Sequence, residues 1–172
     1  MSQLTSSPDQ QLLPARGSTR RTSTFAALVS TTDSPLPTLL RVALGGVIFG
    51  HGLQKVFGWF GGYGIAGTLG FFGSIGIPSV LGVLVIVSDF FGSLALIAGL
   101  LTRFAAAAAA LVMVGAVLLV HLPNGFFMNW GGAPHGEGYE LHVLALAMAL
   151  SLVVSGGGRA SVDRWLARLV RR

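Results

Sequence analysis

The chain contains no cysteine, which excludes disulfides, a thiolate nucleophile, thiolate-ligated zinc, iron–sulfur clusters and covalently attached c-type haem. Redox chemistry in such a chain must use a bound partner. Charge is nearly as scarce: 10% of the 172 residues are Asp, Glu, Lys or Arg, against 52% hydrophobic residues and a mean hydropathy of +0.74. Water-soluble domains of this length are not built so, and the expected environment is a bilayer. The net charge of +5 does not indicate nucleic acid, because five of the eleven basic residues crowd into positions 159–172 without interleaved stacking aromatics. Anionic lipid is the expected partner of that tail.

What is present is a series of apolar runs. The first is expected from about Thr38 to Phe57, the second from Pro78 to Leu101, the third from Phe104 to Leu122 and the fourth from Tyr139 to about Val154. The last is short for a crossing, so local thinning or tilted neighbours must accommodate it. Between the first two runs, Gly61, Gly64, Gly67, Gly70, Gly73 and Gly76 alternate with aromatics, which predicts an interfacial connector with a short helix over 65–75. Thr102-Arg103 reads as a tight turn. The predicted architecture is an all-α membrane protein, a four-transmembrane-helix bundle with an interfacial connector after the first helix and a C-terminal amphipathic helix. Three regions follow: a disordered arm over 1–37, a membrane domain over 38–155 and a basic tail over 156–172. In the arm, Arg20-Arg21 precede an apolar patch too short for a signal-peptide core, so the arm is expected to stay. In the tail, Val162, Trp165, Leu166 and Leu169 share one helical face, and Arg164, Arg168 and Arg171 the other. All the Lys and Arg residues except Lys55 fall on one side, which predicts a multi-pass plasma-membrane protein with both termini cytoplasmic.

Ionisable residues inside spans cost at least about 2.5 kcal/mol on insertion scales, so each needs a partner or a wet cavity. His51 and Lys55, one helical turn apart, stand near the outer end of the first span between Gly50 and Gly52 and the aromatics Phe57, Trp59, Phe60 and Tyr63. Asp89 falls at mid-depth of the second span, where it is expected to hold its proton. His121, Glu140 and His142 fall at outer helix ends, with His135 in the loop between. Lys55 needs an anion, which Glu140 or Asp89 can supply, and Glu140, at the same depth, is the expected partner. No His-x-x-x-His or comparable spacing occurs, and no metal site is assigned. The competing structural reading makes Lys55–Glu140 a helix lock, Asp89 a neutral hydrogen-bonding residue and the histidines polar caps.

Several motifs together resemble the DoxX family of small bacterial membrane proteins. They are Phe49-Gly50-His51-Gly52-x-x-Lys55-x-Phe57-Gly58, Asp89 followed by Gly92-Ser93-Leu94 and Gly99-Leu100-x-Thr102-Arg103, then Asn124-Gly125-Phe126-Phe127, Gly138-Tyr139-Glu140-Leu141, and Gly157-Gly158-Arg159-x-Ser161-x-Asp163. The resemblance runs from about Leu39 to Asp163 and implies a four-helix plasma-membrane protein, related to the membrane subunit of thiosulfate:quinone oxidoreductases and to oxidative-stress defence. Asp89 stands where that family usually has glutamate, a longer side chain. On this reading the protein is a membrane subunit of a quinone-linked oxidoreductase. His51, Lys55, Asp89 and Glu140 are then its catalytic candidates, and His51, Trp59, Phe60 and His121 its quinone-binding candidates. A soluble redox partner or a second copy of the chain completes it. A non-catalytic membrane scaffold and a small proton-linked transporter using Asp89 are the alternatives.

Overall fold

The computed structural model describes residues 24–132 and 136–170, and among these the regular structure is helical throughout. Three helices are long and apolar enough to cross a membrane: Leu36–Phe57, Ser79–Ala98 and Thr102–Asn124, with 22, 20 and 23 residues. At 1.5 Å per residue each reaches about 30 Å, the thickness of a hydrocarbon core. A fourth apolar helix, Glu140–Ser155, has 16 residues. The connector helix, Gly64–Ser74, lies between the first two spans, and a tail helix occupies Val162–Val170.

Local chemistry sets these limits. Pro37 sits in the first turn of the first span and Pro78 immediately precedes the second, where a missing N–H costs nothing. Gly99, at φ 70°, ends the second span in the left-handed conformation that a side chain disfavours. The turn therefore occupies 99–101, and Thr102-Arg103, expected as the turn, opens the third span instead.

The core is small-residue packing. Ala105, Ala106, Ala109 and Ala110 of the third span meet Ala149 and Leu152 of the fourth helix, joined by Leu44, Ile48 and Leu96. Small side chains let helix backbones approach and gain dispersion contacts where lipid provides no hydrophobic drive. Leu39, Val47, Val80, Leu111, Leu118 and Val154 point outward from the same helices, an apolar exterior suited to acyl chains rather than water.

One end of the bundle is closed by a buried polar corner. Arg41, only 3% exposed, donates from Nε to the Gly157 carbonyl at 2.9 Å and from Nη1 to the Leu96 carbonyl at 3.0 Å. Its guanidinium also reaches the carbonyls of Ile97 and Ala160. Beside it, the Asp163 carboxylate accepts the N–H groups of Leu101 (2.6 Å) and Thr102 (2.8 Å), so a residue far along the chain caps the third span. Arg103 ties the carbonyls of Ser30 (3.1 Å) and Val153 (2.5 Å) into the same end.

The boundary expected for the arm is corrected here. Residues 24–37 are packed: a short helix spans Thr24–Leu28, Val29 is buried, and Thr32 N–H donates to the Ser155 carbonyl at 3.1 Å. Arg159 N–H donates to the Ser34 carbonyl at 3.0 Å, and Asp33 pairs with Arg164 at 2.7 Å. The hydrogen bond and charge of Arg164 hold the Asp33 carboxyl below the usual carboxylate range. Serine- and threonine-rich composition concealed this order because backbone groups make most of the contacts. Residues 1–23 and His135 lie outside the described residues.

Candidate functional site

The first and second spans bring Lys55 and Asp89 together. Gly52 permits this, since a Cβ placed there would stand 2.6 Å from the Asp89 carbonyl oxygen. Gly50, expected to share that role, has open space around it. Opposite Gly52 the second span departs from α-helical winding into a π segment, Ser88–Gly92, which carries Asp89. Such bulges leave carbonyls short of partners and recur at functional sites. Ser93 Oγ answers the deficit by donating to the carbonyls of Asp89 (2.5 Å) and Phe90 (2.9 Å).

Lys55 Nζ lies 2.6 Å from Asp89 Oδ2, and the side chains are 24% and 3% exposed. The expected Lys55–Glu140 pair is therefore corrected to Lys55–Asp89. Lysine's four-carbon stem lets the ammonium travel along the helix to a deeper carboxylate. Asp89, expected from its mid-depth burial to hold its proton, thus has Lys55 Nζ at hydrogen-bond distance. Asp89 Oδ1 is buried and has no hydrogen-bond partner. Glu140 is engaged elsewhere: its Oε2 accepts Met128 N–H at 3.1 Å, while its own N–H donates to the Phe126 carbonyl at 2.9 Å. It holds the loop that closes this end of the bundle.

Three of the histidines, His51, His121 and His142, stand near this pair. His121, on a second π segment, Val117–His121, stacks on His142 with ring centroids 4.1 Å apart. His121 Nδ1 donates to the Glu137 carbonyl at 2.8 Å, and His142 Nδ1 is buried without a partner. His51 Nδ1 donates to Gln54 Oε1 at 3.0 Å and stands within electrostatic range of both Asp89 and His142. Among the described residues no group of three or more His, Asp or Glu has metal-holding geometry.

A pocket of about 220 Å³ opens on the other side of Lys55, lined by Gln54, Lys55, Tyr63, Thr68, Phe71 and Phe72 together with the backbone of Gly61 and Gly62. The connector helix supplies Thr68 and Phe72, the latter two being its buried residues. Trp59 and Phe60, the expected aromatic wall, are 55% and 74% exposed and lie outside this lining. Trp59 instead leads a ring series inward, through Phe57 at 5.3 Å to Phe90 at 5.8 Å, on the segment that carries Asp89. Sequence reading thus found the cation and the carboxylate but missed Thr68, Phe71, Phe72 and Phe90. The glycine-aromatic alternation of the connector was the available signal.

The comparison with protein families identifies this arrangement. Residues 36–122, from the first span to the end of the third, match DoxX, and the chain belongs to the DoxX family. With its apolar helices this makes it a multi-pass integral membrane protein. The match contains His51, Lys55, Asp89 and His121, and ends before Glu140 and His142. No curated protein and no solved structure gives a significant match.

Proposed function

We propose that this protein is a four-helix plasma-membrane protein whose outer-end pocket binds a quinone headgroup, as the membrane subunit of a quinone-linked oxidoreductase. The observation that carries the reading is the pocket beside Lys55. Phe71 and Phe72 offer flat apolar walls, and Lys55, Gln54, Tyr63 and Thr68 offer hydrogen-bond donors to ring carbonyls. An isoprenoid tail would continue over the apolar exterior of the bundle. A bound quinone supplies two-electron, two-proton redox chemistry. The chain's own part is to orient the ring through Lys55 and Thr68, and to hold a proton at Asp89, behind Lys55. Electrons come from a soluble redox partner, since a chain without cysteine carries no thiolate-held centre of its own.

Saturable binding of a short-tailed benzoquinone to the protein in lipid nanodiscs tests this. Phe71→Ala, which removes a half-exposed wall, is expected to weaken binding about tenfold, equivalent to about 1.4 kcal/mol. Binding no greater than that of protein-free nanodiscs would end the reading.

Residues 30–34 and 155–163 meet at the Arg41 end, with the 99–101 turn, and among the described residues that end carries Arg41, Arg103, Arg159, Arg164 and Arg168, every basic residue except Lys55. Positive-inside bias then places the termini in the cytoplasm and makes the fourth helix a crossing, its 16 residues covering about 24 Å beside the alanine face of the third span. Reporter fusions at residue 130 are expected to report the outer side and those at residue 100 the cytoplasm; the reverse pattern would overturn the orientation. On the inner surface, the tail helix presents Trp165, 60% exposed, and Leu169 outward, with Arg168 beside them, as an anchor on anionic lipid. Arg164, expected with Arg168 and Arg171 to meet anionic lipid, is turned to Asp33 instead.

A further inference from the structure

Lys55 belongs to two places at once. Its side chain forms part of the pocket wall, yet its ammonium is committed to Asp89 Oδ2 at 2.6 Å. A ligand oxygen entering the pocket and a carboxylate buried behind it therefore compete for one cation. Besides Lys55, His51 of the first span stands within electrostatic range of Asp89, with its Nδ1 bonded to Gln54 rather than to the carboxylate. From the third span, His121 is bonded to the Glu137 carbonyl, and Arg103 is held at the opposite end by Ser30 and Val153. From its own span, the Ser93 hydroxyl is turned to backbone carbonyls. Asp89 Oδ1 already lacks a partner.

Resting on the reading of the pocket as a quinone headgroup site, we propose that its occupancy is coupled to proton uptake: a ring carbonyl draws Lys55 Nζ away from Asp89, and Asp89 takes up one proton. The balance is simple. Free protein holds a Lys55 ammonium and an Asp89 carboxylate; the complex holds the same ammonium on the ligand oxygen and a neutral Asp89, with one proton drawn from solvent. A carboxylate 3% exposed, with neither oxygen partnered, is too costly to leave ionised. Binding thus loads the site with a proton before any electron arrives, and by reciprocity protonation of Asp89 favours binding.

The test uses the full chain in nanodiscs and a short-tailed benzoquinone as probe. Binding is followed by calorimetry in buffers of different ionisation enthalpy, together with the bound-minus-free infrared difference spectrum. The expected result is uptake of about one proton per quinone, a Kd that rises about tenfold per pH unit above neutrality, and a new protonated-carboxyl band on binding. Asp89→Asn should bind without proton exchange and without the band; should that variant not fold, Asp89→Glu should keep the uptake and shift the band. Quinone binding with no proton exchange and a pH-independent Kd overturns the coupling and leaves the quinone site standing. The same uptake in Asp89→Asn also overturns it, and absence of quinone binding overturns both.

Discussion

Replacing Lys55 with methionine should destabilise the protein by about 3–5 kcal/mol, whereas replacing Asp89 with asparagine should cost only about 1 kcal/mol. The asymmetry follows from where each group can go when its partner is removed. Asp89 sits on a π segment pressed against Gly52, and its side chain is only 3% exposed. Lys55 is 24% exposed and borders the pocket, so its ammonium can swing outward and be solvated. Removing both charges, as Lys55→Met with Asp89→Leu, should restore most of the lost stability, because the pair recovers little more than its own desolvation cost. Unfolding of detergent-solubilised protein around this double-mutant cycle checks the prediction, and additive losses would show that the two side chains do not interact. A double variant as stable as the parent but unable to bind quinone would show that the pair is kept for chemistry rather than for folding.

The spans were legible because an apolar run of twenty residues has few alternatives, and the connector helix because its glycines and aromatics change period where the runs stop. The sequence offers Lys55 two anions, Glu140 and Asp89, and depth alone favours the wrong one. Depth along straight helices matches Lys55 to Glu140 and leaves out a flexible lysine stem and the π segment that re-aims Asp89. Glu140 is at a suitable height and is spent on Met128 N–H, a contact with a loop whose course no periodicity describes. Trp59 and Phe60 illustrate a different limit: the same residue types make interfacial belts and ring-binding walls, and only their exposure separates the two roles. The pocket was hidden because Thr68 and Phe72 become its lining only when the connector helix folds back on the first span.

Arg41 was the least legible of all, since a single arginine at the mouth of a span resembles an interfacial anchor. The structure makes it a junction. Arg41→Met should destabilise the protein by at least about 3 kcal/mol, because the carbonyls of Ile97 and Ala160 lose the Arg41 donor, and those of Leu96 and Gly157 are left with Gly99 N–H and Thr38 Oγ1, in a corner where 156–158 are buried. Arg41→Lys should recover only part of that loss, as one ammonium cannot copy a planar fork reaching two segments of the chain. Asp163→Asn provides the matching case. Its amide keeps one acceptor oxygen for two N–H groups, so either Leu101 or Thr102 goes unpaired, at about 1–2 kcal/mol. The damage should be local to one end. Hydrogen exchange should quicken at 99–103 and 156–163 in both Arg41→Met and Asp163→Asn, while exchange at the Lys55–Asp89 end stays unchanged. Equal loosening at both ends would mean that the bundle unfolds as one unit and that the corner has no separate role in seating the terminal segments.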